Sequence, residues 1–173
     1  MERVTGHGLP VTAFVALGSN LDDPPSQVRA GLRAIADLAD TRLISVSSLY
    51  RNPAVGYRDQ PDFVNAVARI ATHLAPRALL DALLEIERAR GRVREFLNAP
   101  RTLDLDVVLY GDRVVEEPGL TIPHPRMLER AFVMVPLGEI APEAIIPGAG
   151  PVAALAARID GTGMTKLASA DVI

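Results

Sequence analysis

Two aspartates one residue apart, Asp104 and Asp106, stand in the stretch R-T-L-D-L-D-V-V-L-Y at residues 101–110. From Leu103 on, the pattern is that of a β-strand: Leu103, Leu105, Val107 and Leu109 alternate with Asp104, Asp106, Val108 and Tyr110. Successive side chains of a strand point to opposite faces, so the two aspartates share one face with Cα atoms roughly 6–7 Å apart. Two ionised carboxylates at that spacing repel, and a hard cation beside them removes the cost. Mg²⁺ in particular is held by one or two carboxylates together with phosphate oxygens. The residues Val107, Val108 and Leu109 are apolar whichever face they take, which places that end of the strand under cover on both sides. Taken alone, D-x-D on a strand reads as a half-buried strand with two solvated aspartates. The residues before it change that reading.

Arg88, Arg90, Arg92, Arg94 and Arg101 precede the aspartates with only Glu87 and Glu95 to oppose them. A helix end with arginines favoured by the helix dipole accounts for Arg88 and Arg90. Arg92, Arg94 and Arg101 fall beyond the helix and lead into the carboxylates. Their forked guanidinium groups suit phosphate oxygens, so arginines plus a carboxylate pair point to a metal–polyphosphate site. A segment at 92–100 whose arginines repel one another is expected to order only over a phosphate ligand. Downstream, Thr121, His124, Arg126 and Arg130 lie within ten residues, with Pro123 and Pro125 fixing the backbone around His124. That cluster favours phosphate contact over a purely structural histidine. Phe63 and Asn65 share a strand face and could hold a flat hydrogen-bonding ring; on the residues alone, the simpler assignment is core for Phe63 and edge for Asn65.

The elements that position these residues follow in order. Residues 1–10 read as a loose arm, and residues 11–17 as a buried strand running into the Gly18-Ser19-Asn20 turn. Asp22 or Asp23 can cap a helix that tolerates Pro24 and Pro25 in its first turn and carries Val28, Leu32, Ile35 and Leu38 on one face. Residues 43–49 form a second strand, 50–61 a long loop, and 63–71 a third strand. Pro76 opens a second helix with Leu79, Leu83 and Ile86 on its stripe, ending near Gly91. The aspartate strand closes a β-α-β-β-α-β order, the ferredoxin-like arrangement of the α+β class: a mainly antiparallel sheet with both helices on one face. A short C-terminal α/β extension follows: an edge strand near 113–115, an extended segment at 121–125, a short helix at 126–130, a helical turn at 136–140 and a last helix at 152–159.

Composition narrows the function classes. The chain has 173 residues, 49% hydrophobic and 23% charged, which suits one domain. Its net charge of −3 gives no reason to expect a nucleic-acid or membrane-surface partner. There is no cysteine, hence no disulfide framework, no zinc–cysteine site and no thiol nucleophile. No signal-peptide core is visible, and the apolar run at 11–18 is too short to span a bilayer, so a cytoplasmic protein is expected. There is no G-x-x-x-x-G-K-[ST] loop and no protein-kinase signature set.

The motifs together resemble the 6-hydroxymethyl-7,8-dihydropterin pyrophosphokinase family of folate biosynthesis. The likeness runs from about Val11 to Ala141 and rests on V-A-L-G-S-N-L at 15–21, S-S-L-Y-R-N-P at 47–53 and D-Q-P-D-F-V-N-A at 59–66. It continues through G-R-V-R at 91–94, P-R-T-L-D-L-D at 100–106 and T-I-P-H-P-R-M at 121–127. The P-R-T-L-D-L-D stretch followed by P-H-P-R-M is highly specific. The resemblance implies transfer of pyrophosphate from ATP to the pterin hydroxymethyl group, with release of AMP. It implies two Mg²⁺ ions on Asp104 and Asp106, and catalytic roles for both aspartates and for Arg92 and Arg101. Glu87, Arg92, Arg94, Arg101, Thr121, His124 and Arg130 match ATP-side positions. Phe63 and Phe132 match the rings that stack the pterin, with Asn65, Asn52, Pro53 and Val55 beside it. Three positions depart from many members: Asn98 stands for Trp, Asn52 for Thr and Gly119 for Arg. The expected partners are the two small-molecule substrates, with the protein acting as a monomer. A non-catalytic nucleotide-sensing module on the same fold is the rival reading.

Overall fold

The computed structural model describes residues 8–54, 60–91 and 102–172. Its elements are β1 (Val11–Ser19), α1 (Pro24–Ala36), β2 (Thr41–Val46), β3 (Tyr50–Asn52), β4 (Phe63–Thr72), α2 (Pro76–Ala89), β5 (Asp104–Tyr110), β6 (Val115–Glu117) and β7 (Leu120–Ile122). A 3-10 turn at Met127–Glu129 leads into α3 (Ala131–Ile140), and β8 (Ile145–Ile146), β9 (Gly150–Pro151), α4 (Val152–Arg158) and β10 (Thr165–Lys166) complete the chain.

β4 pairs with β1 on one side, and β1 with β5, all antiparallel. On its other side β4 takes two short strands end to end, β2 along 68–72 and β3 along 63–65. This is the ferredoxin-like α+β sheet. The stripes on α1 and α2 (Val28, Leu32 and Ile35; Leu79, Leu83 and Ile86) pack with Ala13, Val15, Leu17, Leu105 and Val107 in one core. Truncating a fully buried residue such as Leu79 or Leu83 costs about 2–5 kcal/mol. The exposed Arg77–Glu117 pair, at 3.5 Å, contributes less than about 1 kcal/mol. Burial, not surface charge, therefore holds this layer together.

The opposite face of the sheet has its own core. Phe14, Val67, Val108 and Leu109 meet Val133, Met134 and Leu137 of α3, with Ile146 and Val152 behind them. The expected helical turn at 136–140 is thus a ten-residue helix, Ala131–Ile140, with Pro136 inside it. Its sequence, AFVMVPLGEI, is apolar almost all round because it lies between the sheet and α4. The approach of α4 is close enough that a Cβ on Gly138 would stand 3.1 Å from Ala156 Cβ.

Four further expectations are corrected. The 50–61 loop contains β3, because Tyr50 and Asn52 find partners in Asn65 and Phe63 of β4. Leu109 and Tyr110 exchange faces, because a bulge in the β1–β5 ladder inserts one residue: Phe14 pairs with Leu109 but Val15 with Val107. Leu109 then enters the α3 core and Tyr110 the helix-side core, where its hydroxyl donates to Leu74 O at 2.8 Å. Asp23 occupies the N-cap position of α1 with φ 63° and makes no side-chain cap; its carboxylate accepts instead from the Ser26 hydroxyl at 2.8 Å. The expected edge strand near 113–115 begins at Val115 and pairs with β7 in a separate hairpin. Its turn runs through Pro118 and Gly119 with Gly119 at φ 75°, a conformation that suits glycine.

β10 pairs with β3, Thr165 opposite Arg51 and Lys166 opposite Tyr50. Beyond it the chain crosses to the helix side, where Ala170 is buried and its carbonyl accepts from Arg29 Nε at 3.1 Å. The expected loose arm at 1–10 falls largely outside the described residues.

Candidate active site

Antiparallel pairing brings the end of β1 and the starts of β4 and β5 to one end of the sheet. Gly18 stands opposite Asn65 on one side and Asp104 on the other; one step along, Ala16 stands opposite Val67 and Asp106. Five of these positions line one cavity of about 210 Å³: Ala16, Gly18, Asn65, Asp104 and Asp106. Phe63 and Asn52 form its wall on the β4 side, and Arg126, Glu129, Arg130, Phe132 and Val133 cover it from the turn before α3 and from α3 itself.

Gly18 is the floor. A Cβ there would lie 2.7 Å from Asn65 Oδ1 and 3.8 Å from Phe63 Cδ1, so the space above the strand exists because this residue has no side chain. Asn65 and Asn52 are both 6% exposed. Asn65 Nδ2 donates to Asn52 Oδ1, and Asn52 Nδ2 donates to Pro53 O at 3.2 Å. Nearby, Asn20 Nδ2 donates to Gln60 Oε1 at 2.7 Å and to Pro61 O at 3.1 Å, which ties the end of β1 to the segment entering β4.

Asp104 and Asp106 are half-buried on the same face of β5, as the alternation predicts. Among the described residues no group of three or more His, Cys, Asp or Glu side chains could enclose a metal ion. Two carboxylates at the edge of an open cavity fit a cation that takes its remaining ligands from phosphate and water, which is the habit of Mg²⁺. His124 is set beside β5 by its N–H donating to Val108 O at 3.0 Å. Its Nδ1 accepts from the Arg126 N–H at 3.2 Å. Burial first, then the charges of Arg130 and Arg126, push its pKa below the usual histidine value, against an opposing pull from Asp104. The imidazole is therefore neutral near pH 7 and keeps its proton on Nε2. Arg130 lies over the Phe132 ring, 5.5 Å from its centre.

Several expected residues lie elsewhere. Pro53 is exposed at the end of β3, against Gly163 rather than in the cavity. Thr121 is exposed on β7, opposite Glu116. Glu87 is 1% exposed on α2, on the helix side of the sheet. Arg88 pairs with Glu85, and Arg90 donates to Gln27 Oε1 through Nε and Nη2 at 3.0 and 2.7 Å, the structural roles expected of a helix end. Val55, Arg92, Arg94, Asn98 and Arg101 lie outside the described residues. Gly18 and Glu129 were not anticipated as lining residues, and Arg126 only as part of the basic cluster. The Gly18-Ser19-Asn20 run reads as a turn, whereas β1 continues through Gly18 to Ser19.

The family model for 7,8-dihydro-6-hydroxymethylpterin-pyrophosphokinase (HPPK) matches residues 14–142. The chain belongs to the HPPK family. The chain is 46% identical over 157 residues to the 2-amino-4-hydroxy-6-hydroxymethyldihydropteridine pyrophosphokinase of Haemophilus influenzae, covering 91% of this chain and 98% of that one. The enzyme of the same name from Pseudomonas aeruginosa is likewise 46% identical over 157 residues, covering 91% and 97%. A crystal structure of a Plasmodium falciparum HPPK-DHPS triple mutant matches with a TM-score of 0.70 at 12% identity, which is a likeness of fold. The match covers 91% of this chain and 45% of that much longer one. No helix among the described residues is long and apolar enough to cross a membrane.

Proposed function

We propose that this HPPK-family protein transfers pyrophosphate from ATP to the hydroxymethyl group of 6-hydroxymethyl-7,8-dihydropterin in folate biosynthesis. The observation that carries the reading is one cavity holding both halves of the chemistry. The Asp104/Asp106 pair stands on one side of Gly18, and the Phe63–Asn65–Asn52 wall on the other. About 210 Å³ suits one flat ring rather than a whole nucleotide. The ring would lie between Phe63 and Phe132, with the amides of Asn65 and Asn52 at its edge.

Asp104 and Asp106 would hold two Mg²⁺ ions. Bound there, the metal would neutralise charge developing on the β-phosphorus and orient the attacking oxygen. Arg130 and neutral His124, through its Nε2–H, would donate to phosphate oxygens. Arg92, Arg94 and Arg101 take the phosphate contacts that their family positions imply, and Glu87 and Thr121 the nucleotide side. The pterin hydroxyl oxygen forms a bond to the β-phosphorus as the bond to the α–β bridging oxygen breaks. AMP leaves with that oxygen, and the hydroxyl proton passes to solvent. No strong base is required, because positioning and charge stabilisation lower the barrier.

We take the chain as a single catalytic domain, since the two cores share one sheet, acting as a cytoplasmic monomer. The alternative of a nucleotide sensor is not favoured, because relatives covered almost end to end are named as pyrophosphokinases. The deciding assay incubates the protein with ATP, Mg²⁺ and the hydroxymethyl-dihydropterin. Formation of AMP and the pterin diphosphate is expected, and nucleotide binding without AMP formation would establish the sensor instead.

A further inference from the structure

Glu139 lies on α3, away from the cavity, yet four groups from outside its helix converge on its carboxylate. Oε1 accepts from the Ser48 N–H at 2.8 Å and from the Tyr50 hydroxyl at 3.0 Å. Oε2 accepts from the Ser48 hydroxyl at 2.7 Å and faces Lys166 Nζ at 3.4 Å. Only 27% of the Glu139 side chain is exposed, while the Lys166 side chain is 59% exposed.

These partners bracket one short strand. Ser48 sits in the break between β2 and β3, where Ser47 keeps the chain on β4: its N–H donates to Val67 O, and its hydroxyl oxygen accepts from the Val67 N–H, both at 2.9 Å. Tyr50 begins β3, and Lys166 belongs to β10, which runs along the outer edge of β3. Two residues after Tyr50, on the same strand face, comes Asn52, whose side-chain oxygen accepts from Asn65 in the cavity wall. β3 has only three residues, Tyr50–Asn52, so its ladder with β4 alone fixes it weakly. The carboxylate supplies an anchor from the facing layer.

We propose that Glu139 is a positioning residue for the pterin end of the site. By holding Ser48, Tyr50 and Lys166 it sets β3 on β4, and so sets the Asn52–Asn65 amide pair that would meet the ring edge. The inference rests on the reading of the cavity as the pterin site. It makes β10 part of the binding apparatus, since Lys166 completes the same cluster. It also separates the two substrates: the Asp104/Asp106 side of the cavity, on β5, has no link to this cluster through β3.

The test compares Glu139→Gln with the wild-type protein in full-length form. The amide nitrogen of Gln cannot accept, so at least one of the Ser48 and Tyr50 donors loses its partner. The dissociation constant for 6-hydroxymethyl-7,8-dihydropterin is expected to rise roughly tenfold. That for Mg-ATP should change less than about twofold. In turnover, KM for the pterin should rise much more than kcat falls. Glu139→Asp, which keeps the charge, should recover part of the pterin affinity. A lowered melting temperature with unchanged pterin binding, or equal losses for both substrates, would overturn the proposal. If Glu139→Gln does not fold, Tyr50→Phe removes one donor only. A pterin dissociation constant raised about threefold would then support the proposal, and an unchanged one would overturn it. Failure of the wild-type protein to bind the pterin would instead sink the underlying reading of the cavity.

Discussion

Gly18 and Asn65 face each other across β1 and β4 so closely that a methyl group on Gly18 would stand 2.7 Å from the Asn65 side-chain oxygen. The amide cannot turn away freely, because its nitrogen is committed to Asn52. Gly18→Ala should therefore break the Asn65–Asn52 bond and narrow the cavity together. A loss of pterin affinity of about tenfold is expected, with a stability cost of about 1–2 kcal/mol. Titration calorimetry and a denaturant midpoint check both; intact pterin binding would show that the cavity floor has slack.

The carboxylate pair makes the sharpest claim on turnover. Asp104 and Asp106 are half-buried and face the cavity, so Asp104→Ala and Asp106→Ala should each lower AMP formation by at least about a hundredfold. The melting temperature should hold within a few degrees, because Leu105 and Val107 keep β5 in the helix-side core. Near-normal AMP release by either variant at ordinary Mg²⁺ would dismiss the metal role.

Phe63 and Phe132 differ from core aromatics in being only half-buried at the cavity wall. Phe63→Ala should weaken pterin binding more than ATP binding, with about 0.5–1.5 kcal/mol of lost ring stacking beyond the area term. Equal weakening of both ligands, measured by competition fluorescence, would return Phe63 to a purely structural role.

Tyr50 predicts an alkaline limb. Burial, and after it the bond and charge of Glu139, raise its hydroxyl pKa from 10.0 to about 12. The folded value exceeds the unfolded one, so its contribution to stability is whole below pH 10 and is lost as the pH climbs through about 12. Urea midpoints between those pH values should fall less steeply in Tyr50→Phe. Some decline should persist, because burial also raises Tyr110. Identical slopes in the two proteins would mean that Tyr50 titrates as a free phenol.

Glu139 answers at the acid end. Burial alone raises its carboxyl pKa, but the Ser48 hydroxyl and N–H, the Tyr50 hydroxyl and Lys166 outweigh burial, and the value ends below the ordinary 4.5. Its contribution is therefore present above that pH and is lost as the pH falls through the depressed folded value.

The sequence disclosed the parts of the site that obey a simple period. Asp104 and Asp106 alternate with leucines, and Phe63 and Asn65 sit two apart, so their shared faces could be read directly. A bulge leaves no compositional trace, and the exchange of Leu109 and Tyr110 was invisible for that reason. α3 was hidden by Pro136 and by the absence of a polar face, which removes the helical period. Gly18 lay in a Gly-Ser-Asn run that reads as a turn, although it ends a strand. β10 is two residues long, Thr165 and Lys166, and owes its existence to the vacant side of β3.

That last pairing also bears on how the protein behaves in a crowded solution. A strand with an open flank presents amide and carbonyl groups on which another chain can build. The tail occupies the flank of Tyr50 and Arg51, and Leu167 N donates to Leu49 O at 2.8 Å to extend the cover. Damage to the tail would thus be felt as self-association and poor solubility as well as through the site, and a tag fused there would have to leave this flank shielded.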